Sequence, residues 1–311
     1  MDKSAAILLA TYNGEKYLRE QLDSIVKQTY NNFVCYIHDD GSIDGTVNIL
    51  HEYQNDYPDI FKILEFESKH DACSNFLNML KYTTEAYISF CDQDDVWFPN
   101  KLELCVETIQ MAESSENIPI AVFTDLEVVD SELNCIDSSF WHKMNLNPNK
   151  TSIYDLMKSN CAPGCSMMIN RVLGNLAVKY TDSKMLSMHD VWCMMIASEY
   201  GKVIHIDKST IKYRQHSNNE IGAKRETNLS KMMDVIKNNK IKKTKAHIKK
   251  KRSTAIQTMG LSKPIDAYTE KQVNDVCKIA KIDKCNKLQR MIFYLHNKLY
   301  CGTGLMIIIC C

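Results

Sequence analysis

The segment Cys91-Asp92-Gln93-Asp94-Asp95-Val96-Trp97 packs three carboxylates into four residues directly after the apolar run Tyr87 to Phe90. Like charges this close repel unless a cation compensates them. In an extended segment Asp92 and Asp94 project to the same side. Together they could hold a hard divalent ion, Mn2+ or Mg2+, which typically takes one or two carboxylates along with phosphate oxygens and water. Such an ion offsets the charge that grows on a departing diphosphate. The bland alternative is a solvated acidic loop. The apolar run before it and Trp97-Phe98-Pro99 after it argue instead for a loop fixed in the structure.

A second cluster, His38-Asp39-Asp40-Gly41-Ser42, follows the run Phe33 to Ile37. A carboxylate there can accept hydrogen bonds from a nucleobase imide or a ribose hydroxyl, although Asp-Asp-Gly-Ser is equally good turn chemistry. Asp190 stands where a helix over His189 to Tyr200 should begin. The helix dipole favours its ionised form, which lowers its basicity yet keeps it available at neutral pH. From spacing alone, plain helix capping is the stronger reading. Arg214 and His216 flank the end of a later strand, within reach of a diphosphate or a metal. The guanidinium fork suits phosphate, and imidazole is the less usual partner of a hard cation.

These residues need a frame that brings strand ends together. In the first half of the chain, apolar runs of strand length alternate with amphipathic helical patterns, which predicts an α/β fold with a largely parallel sheet. Strands are expected at Ala5 to Ala10, Phe33 to Ile37, Phe61 to Phe66, Tyr87 to Phe90 and Ile120 to Thr124. The helical faces are Leu18, Leu22, Ile25 and Val26, with Asn13 a candidate cap; Val47 and Leu50, after an opening at Asp44; Phe76, Leu77 and Leu80; and Leu102, Val106 and Ile109, after Pro99. The acidic clusters then stand at strand ends, where open α/β sheets place their ligands. Beyond residue 130 the alternation loosens. A polar connector runs around Asn145 to Lys150, with strand-like stretches at Ser166 to Ile169, Val203 to Ile206 and Thr210 to Tyr213. From Lys224 the composition turns lysine-rich and helical, as an appendage would, and Lys240 to Arg252 holds eight lysines and arginines and no acid.

In order and spacing, Ala10-Thr11-Tyr12-Asn13-Gly14, Asp39-Asp40-Gly41-Ser42-Ile43-Asp44-Gly45-Thr46 and Asp92-Gln93-Asp94-Asp95-Val96-Trp97 resemble the family 2 glycosyltransferases of the GT-A fold. The resemblance continues through Thr124-Asp125-Leu126, Ser139-Phe140-Trp141, Asn160-Cys161-Ala162-Pro163-Gly164-Cys165, His189-Asp190-Val191-Trp192 and Tyr213-Arg214-Gln215-His216-Ser217-Asn218-Asn219. It is most similar to the branch that includes rhamnosyltransferases of bacterial polysaccharide assembly. It implies a GT-A domain over 1–223, with a single mixed, mostly parallel sheet flanked by helices, and a basic helical extension over 224–311. The nucleotide-sugar half would span about 1–126 and the acceptor half about 127–223.

What the resemblance implies for function is an inverting transfer of a sugar from a nucleoside-diphosphate donor to a hydroxyl of a polysaccharide or lipid-linked glycan. The first donor to consider is dTDP-rhamnose, followed by galactose or glucose on a uridine carrier. Carried over residue by residue, it implies that Thr11, Tyr12, Asn13, Asp39, Asp40, Asp92 and Arg214 bind the donor nucleotide. Asp92, Asp94 and His216 would hold the metal, and Asp190 would be the catalytic base. Trp97, Gly164, His189 and Trp192 would face the acceptor. Many relatives carry a second acid immediately before this aspartate; here it is His189, which leaves that neighbouring role open. Asn75 is a further candidate, and Gly164 also fits a plain backbone role.

Several classes are excluded or disfavoured. Lysine plus arginine and aspartate plus glutamate balance at 38 each, so no overall charge points to nucleic acid. The turn Thr11-Tyr12-Asn13-Gly14 lacks the Gly-x-Gly-x-x-Gly of a nicotinamide oxidoreductase and the glycine-rich or basic phosphate loop that a nucleotidyltransferase would want. The remaining alternative is a degenerate relative that binds nucleotide sugar or glycan without chemistry, against which Asp92, Asp94 and Asp190 all argue. The run Ala5 to Ala10 is too short for a signal-peptide core, and nothing approaches the ~18 to 20 apolar residues of a membrane span. A cytoplasmic protein is expected. The run Lys240 to Arg252 is either a solvated helix face or drawn to anionic lipid at about 1 kcal/mol per basic residue. The second reading would hold the chain peripherally at the inner face of the plasma membrane, beside a lipid-linked acceptor.

Overall fold

The computed structural model describes residues 4–68, 70–113, 117–180, 182–216, 250–251, 253–255 and 257–258. β1 (Ala5–Thr11) is apolar along its length and buried at every residue but Ala10. A central strand covered by helices on both faces must read this way. β2 (Phe33–Asp39) pairs with it in parallel on one side and β4 (Tyr87–Cys91) on the other, while β3 (Phe61–Ile63) extends the sheet beyond β2. The crossovers are α1 (Leu18–Val26), α2 (Thr46–Asp56) and α3 (Ala72–Met79). Register is what matters for chemistry: Thr11 lies opposite Asp39, and Leu9 opposite Cys91. The loops that begin at Tyr12, Asp40 and Asp92 therefore leave the same edge of the sheet.

β5 (Val96–Trp97) and α4 (Lys101–Ala112) lead into the second half, built around β6 (Ile120–Val129), β8 (Met167–Asn170) and β9 (Lys202–Arg214). The full order is β3-β2-β1-β4-β8-β6-β9-β5, with β7 (Cys135–Asp137) on the far end of β6. β8 is antiparallel to both β4 and β6, and β9 is parallel to β6, so the sheet is mixed with a parallel majority in its first half. The helices of this half are α5 (Phe140–Met144), α6 (Ile153–Lys158), α7 (Arg171–Ala177) and α8 (His189–Tyr200). Ser139, Ser152 and Asn170 cap α5, α6 and α7 by accepting from the N–H groups of His142, Asp155 and Leu173. α8 has no polar face over its first turns: His189 and Val191 through Ala197 are all buried, so it is a core helix.

Several local expectations change. The stretches Val203–Ile206 and Thr210–Tyr213 are one strand, and the polar residues between them sit where the pairing with β6 slips. β3 stops at Ile63 rather than Phe66, because the chain leaves the ladder to stack Phe66 on the ring of His38 at 3.6 Å. Asp44 precedes α2, whose cap is Gly45, and its carboxylate accepts the Thr46 N–H and hydroxyl; Val47 then faces outward while Ile49, Leu50 and Tyr53 are buried. Asn13 does not cap α1. It takes a left-handed conformation, and its amide oxygen accepts the Ile43 N–H.

Part of the chain beyond β9 is seen. Residues 250–258 are helical where described and pack against the second half: Thr254 accepts the Ser187 N–H, and the Tyr200 hydroxyl donates to the Thr258 carbonyl. Of the basic run, residues 240–249 and 252 lie outside the described residues, and Lys251 is buried against the domain. No helix among the described residues is long and apolar enough to cross a membrane.

Candidate active site

At the edge where the strand ends converge, a cavity of about 700 Å³ opens between the two halves of the sheet. From the first half it is lined by Ala10, Thr11, Tyr12 and Asp40 with Asp92, Gln93 and Asp94, a first wall, and from the second half by Asn160, Pro163, Gly164, Met188, His189 and Asp190. Asp71, Asn75 and Phe76 from the start of α3 and Phe140, Met144 and Tyr213 from the second half complete it.

The first wall is held by a splice that sequence reading did not single out. The Gln93 side chain accepts the Tyr12 N–H at 2.9 Å and donates to the Tyr12 carbonyl at 3.0 Å, clamping the loop after β1 to the acidic loop. The approach needs Gly14, since a Cβ there would stand 2.2 Å from the Gln93 Oε1. Asn13 and Ser42 bind each other's loops through the Asn13 N–H and the Ser42 hydroxyl. Asp39 is consumed in this scaffold. Its two oxygens accept from the Thr11 hydroxyl, the Ser42 hydroxyl and the N–H groups of Gly41 and Ser42. The carboxylate that lines the cavity is Asp40, with Thr11 and Tyr12 beside it.

The acidic loop divides its three carboxylates. Asp92 and Asp94 face the cavity, and Asp94 meets the His216 Nε2 at 2.8 Å. His216 is in turn stacked on Tyr17, with ring centroids 4.8 Å apart. Asp95 turns inward, accepts the Arg214 N–H, and is pushed well above the usual carboxylate range by burial and by its neighbours Asp94 and Asp92. This geometry bears on metal binding. Asp92 and Asp94 offer cavity-lining oxygens of the kind a hard divalent ion takes, and Asp94 is paired with the His216 imidazole. Among the described residues the three ligand atoms that gather within 4.8 Å of one another belong instead to Asp92, Asp95 and the Cys165 thiol. Burial keeps that thiol protonated, however, and only a thiolate makes a good ligand.

Arg214 does not line the cavity. It is 1% exposed, its guanidinium donates to the carbonyls of Asp94 and Ser131 and to Glu20, and it lies 4.5 Å from the Tyr17 ring centre. Its role here is to brace the acidic loop from behind. Two proposed acceptor contacts are likewise core residues. Trp192 is fully buried with its indole N–H on the Ala177 carbonyl, and Trp97 is buried beneath the Lys101 ammonium at 4.0 Å.

In the second half, Asp190 is the second residue of α8, and its carboxylate accepts the Val191 N–H at 2.6 Å and the Asn160 amide at 2.9 Å. It is not the helix cap, which is Met188. Burial raises its pKa to about 6, outweighing the hydrogen bonds from Val191 and Asn160 and the positive charge of Lys251. The expected lowering by the helix dipole is thus overridden. His189 is 5% exposed, packs on Phe76 and Phe90 at 4.2 and 4.7 Å, and is held neutral by burial, with a pKa lowered to about 3. Neither of its ring nitrogens has a hydrogen-bond partner among the described residues. Gly164 makes room for this ring: a Cβ there would stand 2.5 Å from the His189 Nε2. The buried Asn75 amide oxygen also lacks a partner among the described residues.

Comparison with known proteins agrees with this architecture. The chain is 29% identical over 225 residues to the dTDP-rhamnosyl transferase RfbG of Shigella flexneri, a match spanning 69% of this chain and 74% of that protein. It is 29% identical over 175 residues to the UDP-Glc:alpha-D-GlcNAc-diphosphoundecaprenol beta-1,3-glucosyltransferase WfgD of Escherichia coli, covering 56% of this chain and 63% of the relative. Among solved structures, S. aureus TarS 1-349 in complex with UDP superposes with a TM-score of 0.56 at 16% identity, covering 90% of this chain and 91% of TarS. At that identity the likeness concerns the fold, a GT-A fold. A family model described as Glycosyl transferase family 2 matches residues 6–175, more than half of the chain. On that match, the chain, whose acidic loop and Asp190 line one cleft, belongs to glycosyl transferase family 2.

Proposed function

We propose that this protein is an inverting glycosyltransferase that moves a sugar from a nucleoside diphosphate to a hydroxyl of a polysaccharide or lipid-linked glycan. The observation that carries the proposal is that Asp190 lines the same cavity as Asp92 and Asp94, with a pKa raised to about 6. A base needs to be ionised yet retain proton affinity, and a carboxylate tuned toward neutrality meets both conditions. Thr11, Tyr12 and Asp40 take the nucleoside, and the diphosphate lies along the Asp92–Asp94 loop. Asp190 accepts the proton of the acceptor hydroxyl, the acceptor oxygen forms its bond to the anomeric carbon, and the bond to the diphosphate oxygen breaks with its electron pair leaving on the diphosphate. Attack from the face opposite the leaving group inverts the anomeric centre. Asn160 and the Val191 N–H hold the carboxylate in place for this step.

Mn2+ or Mg2+ held by Asp92, Asp94 and His216 would neutralise charge on the departing diphosphate. His189 and Gly164, with Met188 and Phe140, form the acceptor side of the wall. The likeness to RfbG, a dTDP-rhamnosyl transferase, supports dTDP-rhamnose as the first donor to test, and WfgD, which acts on a diphosphoundecaprenol acceptor, supports a lipid-linked one. The test is a transfer and donor-hydrolysis screen with dTDP-rhamnose, UDP-glucose and UDP-galactose, with and without Mn2+. Wild type should turn over one of these donors with Mn2+ present. Asp190→Asn should lose turnover by about two to four orders of magnitude while still binding the nucleoside diphosphate with Mn2+ in calorimetry. Retained turnover in that variant would remove the mechanism.

A further inference from the structure

The described residues of the 250–258 segment, 250, 251, 253–255, 257 and 258, are tied to both ends of α8. The Thr254 hydroxyl accepts the Ser187 N–H at 2.8 Å, just before the turn that carries His189 and Asp190. At the other end the Tyr200 hydroxyl donates to the Thr258 carbonyl at 2.7 Å. Thr254, Ala255 and Thr258 are fully buried in this contact. Lys251 reaches in further. It is 8% exposed, and its ammonium meets the carbonyls of Leu156 and Lys158 at 3.4 and 3.3 Å, at the end of α6. The C-terminal end of a helix is a site for a cation. Two residues after Lys158, Asn160 donates to Asp190. A buried lysine is costly unless carbonyls or opposite charges compensate it. The carbonyls at the end of α6 supply such compensation, and the charge they hold in place favours the ionised form of Asp190.

We propose that the segment 250–258 is a brace that fixes α8 against α6, and that Lys251 is a positioning residue for Asp190, its buried positive charge favouring the ionised carboxylate. The segment would then belong to the machinery of the second half, although the family match ends at residue 175. Among the described residues, the other titratable groups near this carboxylate are His189 and Cys193 on α8, Asp71, Asp92 and Asp94 lining the same cavity, Cys73 beside Cys193, and Asp155 and Lys158 on α6, the helix whose end Lys251 meets. His189 is held neutral, Lys158 is exposed, and the rest, all acids or thiols, supply no positive charge. The functional consequence rests on the reading of Asp190 as the base, whereas the structural claim does not.

The test uses the 15N-labelled full-length chain without substrate. Because the Val191 N–H donates to Asp190, its amide shift follows the ionisation of that carboxylate. In wild type it should titrate near pH 6, the value burial sets for Asp190. In Lys251→Met the midpoint should move up by about half a pH unit or more, and Lys251→Arg should restore it. An unmoved midpoint in a folded Lys251→Met chain overturns the proposal. If that variant does not fold, Thr254→Val decides: faster hydrogen exchange at Ser187 supports the brace, and unchanged exchange overturns it. Transfer retained by Asp190→Asn would sink the base reading and leave these amide outcomes untouched, so the two failures are distinguishable.

Discussion

At Asp190 opposing effects meet in one carboxylate. Position in the first turn of α8, the Val191 N–H, the Asn160 amide and Lys251 all favour the charged form; burial opposes them and prevails, leaving the pKa at about 6. The sign has a thermodynamic consequence. Between the ordinary value of 3.8 and about 6, the folded chain holds the proton more tightly than the unfolded one, so stability falls as pH rises through that window. At about 1.4 kcal/mol per unit, ionising Asp190 costs up to about 3 kcal/mol near pH 7. Asp190→Asn should therefore be more stable than wild type in urea denaturation near pH 7, and the gain should shrink toward zero near pH 4. An equal gain at both pH values would mean that ionisation is not its cause. The same paragraph of the chain shows what charge alone leaves open. Asp39 and Arg214 are as polar in sequence as Asp40 and Asp94, but hydrogen bonds within the fold consume the first two and leave the others on the cavity wall.

At the scale of elements, close approaches decide how the loops meet, and two glycines mark them. A Cβ at Gly14 would strike the end of the Gln93 side chain at 2.2 Å, a group that can rotate away. A Cβ at Gly201 would stand 1.8 Å from the Pro119 carbonyl oxygen, which belongs to backbone and cannot yield cheaply. Gly14→Ala should cost about 1 to 2 kcal/mol through the two hydrogen bonds between Gln93 and Tyr12 and weaken nucleotide binding as that loop loosens. Gly201→Ala should cost more in chemical denaturation while the nucleotide affinity of the folded fraction stays the same. Equal losses of stability would contradict the contrast. These elements also show what was legible in the sequence. β1, β2, β3, β4 and β6 follow from apolar runs, and Asp92 and Asp94 from the acids that end one of them, a pattern that parallel sheets impose; Asp190 was reached through the helix it opens and the family resemblance. Gln93 was not legible as a clamp, because an amide between acids carries no periodic or charge signal. Trp192 looked functional beside His189-Asp190, yet α8 is buried over its first turns and its indole belongs to the core. The join of Val203–Ile206 to Thr210–Tyr213 was hidden by exposed polar residues where the register slips.

In the whole molecule the mixed sheet does two things at once. Its parallel half aligns the ends of β1, β2 and β4, and the antiparallel insertion of β8 brings the second half alongside so that α8 faces them. β9 then returns across the first half, where Arg214 binds Glu20 and the Asp94 carbonyl and His216 meets Asp94. The acidic loop is thereby held from both halves of the chain. Asp190 and the acidic loop line this one cavity, and the central claim is that Asp190 does the deprotonation. The pH dependence of kcat/KM for sugar transfer tests it most directly, because this ratio reports the ionisation of the unliganded enzyme. The predicted profile is level above about pH 7, half-maximal near the Asp190 pKa of about 6, and falls about tenfold per unit below it. A profile flat from about pH 5 to about pH 8, or one whose acid limb survives in Asp190→Asn, would contradict it.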